Sequence, residues 1–302
     1  MAPVSAPPSP AWTLMLGGDR RLELGRRPLV MGVLNITPDS FSDGGRWLAA
    51  EGALAHARDM IDAGADLLDL GAESTRPGGG IYGEGATPIP PEEELARLLP
   101  VLEPLRRETD LPLSVDTRKG SVARAALAAG ADLVNDVTAL ADPELAAAVA
   151  AAGRPVVLMH SRGSLATMQR DIRFDDLLGE VAAELAAALE RAERAGIPRG
   201  QVLLDPGIGF GKTWDQNLRL LAGLDRLADL GRPLVVGASR KSFIGHLTGM
   251  PPAARLPGSL AAVAWAAAGG AAVVRVHDVA ETVQFLRVWE AIRDAGRRSE
   301  GD

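Results

Sequence analysis

The sequence predicts a (β/α)8 TIM barrel of the α/β class, with an N-terminal β-hairpin that caps the bottom of the barrel. Three observations predict this fold. Short apolar runs recur eight times along the chain, segments with helical periodicity lie between them, and many of these segments end in glycine, as helices commonly do. A strand that alternates with a helix eight times is the pattern of a closed parallel barrel.

The strands are predicted from runs of nearly continuous Val and Leu, which are typical of parallel strands buried on both faces. These runs are residues 29–36, 66–72, 111–116, 132–137, 155–160, 202–208, 233–239 and 271–277. Helices are predicted between them, for example over DLLGEVAAELAAALERAERAG and VAETVQFLRVWEAIRDAG. The stretch WTLMLGGDRRLEL predicts a hairpin that turns at Gly17-Gly18. Residues 1–10 are Pro-rich and are predicted to be a disordered tail, which leaves residues 11–302 as a single predicted domain.

The composition argues against several classes of function. The 302-residue chain contains no cysteine, which excludes disulfides and thiolate metal sites and suits a cytoplasmic protein. Its net charge of −7 argues against general binding to nucleic acid, so an anionic ligand would need local positive groups. No apolar run is long enough to span a bilayer, and MAPVSAPPSP lacks the basic and apolar regions of a signal peptide.

Polar side chains gather where the predicted strands end, which is where such barrels place their active sites. The side chains at these ends are Asn35, Asp69, Glu73, Ser74, Thr75, Arg76, Asp116, Asn135, Asp136, His160, Asp205, Ser239, Arg240, Lys241, Arg275 and His277. Two of the three Asn of the chain and two of its four His are among them. A single Asn or Asp at a strand end often caps the next helix. Polar groups at all eight ends favour a common binding site instead.

Three of these residues suit the edge of a nitrogen heterocycle. Asp116 and Asp205 supply carboxylates that accept paired N–H donors, and Asn135 supplies an amide that both donates and accepts. Lys241 adds an ammonium group for a ring oxygen or nitrogen. The four residues together predict a pocket for a flat, polar ring.

Three further residues suit a phosphate group and its cation. Arg275 and His277 alternate along one strand and therefore point the same way, as the ligands of a phosphate or diphosphate would. Asn35 offers an amide oxygen to a Mg²⁺ ion that keeps its waters and phosphate ligands. The sequence contains no HExxH, CxxC or EF-hand motif, so a dedicated metal cage is not expected.

The stretch DPGIGFGKT, residues 205–213, raises the question of nucleotide binding. A P-loop has four residues between its first glycine and the GK[ST]. Only three residues separate Gly207 from Gly211. The spacing therefore argues against a P-loop, and Lys212 is interpreted as a loop cation whose replacement has little effect.

Seven motifs, in order along the chain, resemble the dihydropteroate synthase family, the target of sulfonamides. They are MGVLNITPDSFSDGG (31–45), GAESTRPG (71–78), SVDTRK (114–119), NDV (135–137), LDPGIGFGKT (204–213), GASRKSFIG (237–245) and RVHD (275–278). The resemblance implies a transferase that condenses 6-hydroxymethyl-7,8-dihydropterin diphosphate with 4-aminobenzoate, giving 7,8-dihydropteroate and diphosphate. It also implies SN1-like departure of diphosphate, a Mg²⁺ cofactor, inhibition by sulfonamides and a homodimer.

The resemblance carries residue roles over motif by motif. The residues implied to bind the pterin are Asp116, Asn135, Met159, Asp205, Phe210, Lys241 and Arg275. Those implied to hold 4-aminobenzoate are Ser40, Phe41, Thr75, Arg76, Pro77 and Ser239. Those implied to hold diphosphate are Asn35, Thr75, Arg275 and His277, with Asn35 also a ligand of Mg²⁺. Those implied to act in catalysis are Asp43, Thr75, Arg76, Lys241, Arg275 and His277.

Two segments depart from the family pattern. Ser161 and Leu165 stand where the family often has Met and Pro, and residues 78–90 form a longer loop than usual, with five glycines. Two other functions fit parts of the sequence: a folate-dependent methyltransferase of the related pterin-binding barrels, and an inactive relative that binds a pterin or another protein. The intact ESTRPG and GASRKSFIG motifs argue against the methyltransferase, and the presence of all the loop and diphosphate residues argues against the inactive relative.

Overall fold

Eight parallel strands form a nearly closed barrel in the computed structural model, which describes residues 11–36, 45–74, 87–164 and 166–299. An antiparallel pair precedes the barrel: β1 (Trp12–Gly17) and β2 (Arg20–Leu24). The barrel strands are β3 (Leu29–Asn35), β4 (Leu67–Gly71), β5 (Leu113–Asp116), β6 (Leu133–Asp136), β7 (Val156–Met159), β8 (Val202–Asp205), β9 (Val235–Val236) and β10 (Val273–Val276). They pair in the order β8-β7-β6-β5-β4-β3-β10-β9, and a single bridge between Leu204 and Leu234 joins the two edges. The predicted fold class is confirmed.

Each predicted apolar run contains one of these strands, because its side chains are buried on both faces. In β4 and β5, for example, every residue is buried. The run 233–239 gives only the two residues of β9. Its polar end turns away toward Arg240, whose φ of +56° is outside the range of a strand.

Helices connect the strands, and their bounds follow the periodic segments. They are α1 (Gly45–Asp62), α2 (Pro91–Glu108), α3 (Gly120–Ala128), α4 (Pro143–Ala152), α5 (Leu177–Arg194), α6 (Trp214–Ala222), α7 (Leu224–Ala228), α8 (Ser242–Thr248), α9 (Leu256–Ala268) and α10 (Val279–Ser299). Gly153 ends α4 with φ of +61°, a conformation that glycine adopts without steric cost. The predicted alternation is less regular after β8 and β9, since two helices follow each of them.

The β1–β2 hairpin closes the bottom of the barrel. Leu14, Leu16, Leu22 and Leu24 pack in one apolar cluster with Met31, Leu67, Leu133, Val157, Leu203, Val235 and Val273, which lie at or near the amino ends of the barrel strands. Gln201 bonds both the N–H and the carbonyl of Met15, at 3.0 and 3.2 Å, and so fixes the hairpin to β8. The predicted cap is confirmed. Among the described residues, no helix has the length and apolar content needed to cross a bilayer.

Candidate functional site

Polar side chains from all eight barrel strands, or from the residues just after them, lie at the carboxyl ends of the strands, here called the barrel mouth. The buried ones are Asp69, Asp116, Asn135, Asp136, His160, Asp205 and Ser239, with Glu73 buried just beyond β4. The parallel arrangement places all these ends on one side of the sheet, so residues distant in sequence become neighbours. The convergence that the strand-end pattern predicts is therefore present in the described part of the chain.

The centre of the mouth is a charged network built on Asp69. Its Oδ2 accepts from Arg275 Nε at 2.6 Å and from Asn135 Nδ2 at 2.9 Å. Arg275 Nη2 in turn donates to Asp116 Oδ2 at 3.0 Å. Asp69 is fully buried, and it orients two of the predicted site residues at once. The sequence indicated Asp69 only as a strand-end residue. Its shared contact could not be predicted without the strand order of the barrel, because Asn135 on β6 and Arg275 on β10 each lie two strands away from β4.

Three acceptor atoms in this network have no partner among the described residues. They are Asp69 Oδ1, Asp116 Oδ1 and Asn135 Oδ1, all buried. The contact with Asp69 fixes the Asn135 amide so that its NH2 faces the network and its oxygen faces away from it. Burial raises the pKa of Asp116 to about 7, although Arg275 opposes the shift. Unsatisfied buried acceptors are costly, so they point to a ligand with N–H donors.

An apolar platform and a lysine border these acceptors. Met159 and Phe210 pack together with Val137 and Met168 in a small cluster. Lys241 Nζ stands 4.2 Å from the centre of the Phe210 ring, a cation–π contact. Burial and the nearby Arg275 lower the pKa of Lys241 to about 8. The arrangement offers an apolar surface with one cation over the face of the Phe210 ring.

The loop of residues 205–213, here called the β8 loop, does not have the chemistry of a P-loop. A P-loop points backbone N–H groups at phosphates. This loop points two carbonyls, of Gly207 and Phe210, at its own Lys212, at 3.0 and 2.9 Å. Lys212 is only 3% exposed. The prediction that Lys212 is a simple loop cation is not supported by this geometry, because a buried ammonium with carbonyl partners holds the loop together.

The β8 loop also lies close to the neighbouring strand. Gly207 has φ of +70°, and a Cβ atom there would stand 1.9 Å from the carbonyl oxygen of His160. Asp205 Oδ1 accepts from Gly207 N at 2.7 Å. The third asparagine of the chain, Asn217, accepts from Gly209 N at 2.7 Å and supports the loop from α6. The glycines therefore allow the loop to fold closely around the Lys212 ammonium group.

The ends of β9 and β10 are joined by two contacts. Ser239 Oγ lies 3.2 Å from His277 N, from which it accepts, and 3.1 Å from His277 Nδ1. Arg240 donates to both carboxylate oxygens of Asp278, from Nε and Nη2. Burial lowers the pKa of His277 to about 4, with the nearby Arg275 acting in the same direction. The Ser239 hydroxyl thus supports His277, and its contact with the aminobenzoate carboxylate stays a prediction.

Asn35 lies exposed at the end of β3 and has the chemistry of a single metal ligand. Gly71 leaves space beside it, since a Cβ atom there would stand 4.0 Å from Asn35 Oδ1 and 3.7 Å from Asp116 Cβ. In the described part of the chain, no group of three or more His, Asp or Glu side chains could hold a metal ion. This donor set fits Mg²⁺ bound through one amide oxygen, with phosphate and water as its other ligands.

A second charged cluster joins the two chain segments that flank residues 75–86. Glu73 accepts from Ile89 N at 3.0 Å and from Arg118 Nε at 3.1 Å. Lys119 Nζ bonds Glu73, Ile89 O and Glu94 at 2.9, 2.7 and 2.6 Å. Both flanking segments are therefore anchored to the end of β5. The predicted residues Ser40, Phe41, Asp43, Thr75, Arg76 and Pro77, and the variant position Leu165, lie outside the described residues.

Comparison with known proteins gives consistent results along the chain. A family model described as pterin binding enzyme matches residues 31–277. The dihydropteroate synthase of Escherichia coli K12 is 46% identical over 268 residues, which cover 89% of this chain and 93% of that protein. The dihydropteroate synthase of a Synechocystis strain is 45% identical over 277 residues, covering 91% of this chain and 93% of that protein.

Solved structures of similar proteins include ligand complexes. Xanthomonas albilineans dihydropteroate synthase with 4-aminobenzoic acid is 49% identical, with a TM-score of 0.86, and the match covers 94% of this chain and 99% of that one. Burkholderia cenocepacia dihydropteroate synthase complexed with 7,8-dihydropteroate is 43% identical, with a TM-score of 0.84 and coverage of 96% and 100%. The Yersinia pestis enzyme with a sulfonamide drug is 45% identical, with a TM-score of 0.85 and coverage of 93% and 99%.

Proposed function

Because this chain belongs to the dihydropteroate synthase family of pterin-binding enzymes, we propose that its barrel mouth holds a pterin ring against Asp116, Asn135 and Asp205. The chain is a transferase that condenses 6-hydroxymethyl-7,8-dihydropterin diphosphate with 4-aminobenzoate, giving 7,8-dihydropteroate and diphosphate. The proposal concerns which side chains perform this reaction and how.

The observation that carries the proposal is the pair of unsatisfied acceptors at Asp116 Oδ1 and Asn135 Oδ1. The amino-pyrimidine edge of a pterin presents adjacent N–H donors, which such acceptors bind with charge-assisted bonds. Asp205 supplies a third acceptor from the other side of the mouth. Phe210 and Met159 provide the apolar surface against which a flat ring packs. A nucleotide phosphate would meet acceptors here instead of donors.

The reaction breaks the C–O bond between the pterin methylene and diphosphate, and the electron pair leaves with diphosphate. We propose that Arg275 and His277 face the departing group. Neutral His277 would receive a hydrogen bond from Ser239 on Nδ1, which leaves the proton on Nε2 for a phosphate oxygen. Because these donors are already held in place, they stabilise the developing charge without reorganising.

The methylene left behind is cationic, and its charge spreads into the pterin. Asp116 and Asp205 face this ring as carboxylates and stabilise the positive charge. The amine of 4-aminobenzoate then bonds to the methylene and releases a proton. No strong nucleophile from the protein is needed, which agrees with a site composed of positioning and charged groups.

Asn35 is the residue that would hold Mg²⁺, and its exposed position beside Asp116 suits an ion shared with diphosphate. When bound there, Mg²⁺ neutralises charge on the diphosphate. The protein's own contribution is one amide oxygen and an open site. We propose that 4-aminobenzoate, and sulfonamides in competition with it, bind beside the pterin at the segments with the motifs of residues 31–45 and 71–78.

A coupled assay tests the proposed function. Purified protein, with dihydropterin diphosphate and Mg²⁺, should release diphosphate only when 4-aminobenzoate is present, and EDTA should stop the release while the melting temperature stays unchanged. Protein that binds the pterin but yields no dihydropteroate at any 4-aminobenzoate concentration would instead be an inactive relative.

The chain is also proposed to form a homodimer in the cytoplasm. Trp265 on α9 and Val288 and Ile292 on α10 expose apolar side chains, by 56%, 57% and 68%. Exposed apolar groups on neighbouring helices are suited to packing against a second copy. Sedimentation should therefore give a dimer for the native chain and a monomer for Ile292→Lys. A native monomer would contradict the proposal.

A further inference from the structure

A buried pair, Lys212 and His160, has no role in the function proposed above. The Lys212 ammonium contacts His160 Nδ1 at 3.0 Å in addition to the carbonyls of Gly207 and Phe210. Both side chains are 3% exposed. We propose that Lys212 and His160 are positioning residues that hold the β8 loop in the shape required to bind the pterin.

The proton positions on this pair follow from its partners. An ammonium group has three N–H donors and no acceptor, so the Nδ1 atom of His160 must accept. The neutral ring then carries its proton on Nε2, which lies 3.0 Å from Glu184 Oε2. The alignment of this second contact is poor for a hydrogen bond, so its attraction is chiefly electrostatic. Burial lowers the pKa of His160, which agrees with the neutral ring.

The two carbonyls that Lys212 binds lie beside the groups that face the pterin. Gly207 also donates its N–H, which belongs to the preceding peptide group, to Asp205 Oδ1, so the position of Gly207 decides where the carboxylate points. Phe210 supplies the other carbonyl, and its ring lies beneath the ammonium of Lys241. An ammonium that binds both carbonyls therefore fixes the carboxylate and the ring relative to each other.

His160 connects the same loop to β7. It directly follows Met159, which packs with Phe210 in the apolar platform. His160 N donates to Asp205 O at 2.8 Å, and its side chain binds Lys212. One residue thus contacts the β8 loop through both backbone and side chain. The pair therefore links Met159 on β7 to Asp205 on β8. A contact that only stabilised the turn would not need to join two strands.

Arg232 offers a matched control at the opposite end of β8. It is also buried, at 8% exposure, and also binds two carbonyls, of Val202 and Gly200, each at 2.9 Å. It lies at the amino end of the strand, far from the mouth. A role in stability alone would make Lys212→Met and Arg232→Met behave alike.

The experiment measures melting temperature and, by calorimetry, the Kd of dihydropterin diphosphate with Mg²⁺ and without 4-aminobenzoate. Both variants should melt at lower temperature. Lys212→Met should weaken pterin binding by about tenfold or more, whereas Arg232→Met should change it by less than about threefold. Native affinity in Lys212→Met, or an equal loss in both variants, would overturn the proposal.

A second pair of variants tests the contact from the histidine side, and decides the matter if Lys212→Met does not fold. His160→Asn places an amide oxygen near the position of Nδ1 and should keep most of the affinity, because Lys212 retains its acceptor. His160→Leu removes the acceptor and should lose affinity as Lys212→Met does. Equal affinities for these two variants would refute the role of His160. This inference rests on the proposed function, which fails separately if the native chain itself does not bind the pterin.

Discussion

Replacing Asp205 with asparagine tests the assigned pterin contacts with the smallest change of structure. Asp205 is 5% exposed, and its Oδ1 accepts from Gly207 N at 2.7 Å. The oxygen of an asparagine amide can keep that bond. The amide NH2 then takes the place of Oδ2, where it faces the N–H donors of the pterin. The β8 loop should stay in place, while the NH2 donor of the asparagine faces the N–H donors of the pterin.

The magnitude follows from the bond that is lost. A hydrogen bond to a charged group contributes about 1.5–3 kcal/mol, and each tenfold change in affinity corresponds to about 1.4 kcal/mol. Affinity for dihydropterin diphosphate should therefore fall by roughly 10- to 150-fold. The loss should be larger if the opposed donors find no water, because an unsatisfied buried donor costs about 1–3 kcal/mol more.

Calorimetry without 4-aminobenzoate measures this affinity directly, and Asp132→Asn is the matched control. Asp132 is 1% exposed and lies at the bottom of the barrel, where it pairs with Arg20 and Arg106. Its replacement should lower the melting temperature and leave the pterin affinity unchanged. If Asp205→Asn binds the pterin as tightly as the native protein does, the carboxylate does not contact the ring and the site assignment is wrong.

Three more predictions concern other residues at or behind the barrel mouth. Because burial raises the pKa of Asp116 to about 7, the carboxylate is the major form only above that pH, and pterin affinity should rise from about pH 6 to about pH 8. The free energy of unfolding should fall as the pH rises from the ordinary pKa of the group toward 7, and a flat binding profile would contradict the assignment. Gly207→Ala places a Cβ atom 1.9 Å from a backbone oxygen, whereas Gly153→Ala, also at positive φ, meets no atom within 4 Å. Gly207→Ala should therefore abolish pterin binding, and Gly153→Ala should only lower the free energy of unfolding, by about 1–2 kcal/mol in a denaturant titration. Asp278→Asn removes the ion pair with Arg240 behind the Lys241 turn, so kcat/KM should fall several-fold at nearly constant melting temperature, and unchanged kinetics would show that the turn holds its shape without the pair.

The parts of the fold that depend on local pattern could be predicted from the sequence. A strand buried on both faces requires a continuous run of residues such as Val and Leu, and helices commonly end at glycine. The order of strands and helices can therefore be predicted from the local sequence pattern. Strand lengths were less predictable: β9 has two residues of a seven-residue run. The run ends early because the chain must turn at Arg240 to bring Lys241 over Phe210.

The contacts within the site depend on three dimensions and were harder to predict. Asp69 could be recognised as a polar strand end, but its shared contact with Arg275 and Asn135 joins three strands. Lys212 was misinterpreted because a motif shows that glycines surround a lysine and does not show which way their peptides point. The same motif can form a loop whose N–H groups point at an anion or, as here, a loop whose carbonyls point at a cation.

The edge at which the barrel closes is its weakest line of pairing. β8 and β9 are joined through the single bridge between Leu204 and Leu234, whereas the other neighbouring strands share ladders of at least two residue pairs. Asp205 lies directly above this edge on one side, and Lys241 follows it on the other. A ring that binds both side chains would connect β8 to β9 across this edge, in addition to the single backbone bridge. Native-state hydrogen exchange should consequently be fastest along this edge in the free protein, and a bound pterin should slow it there more than anywhere else in the barrel.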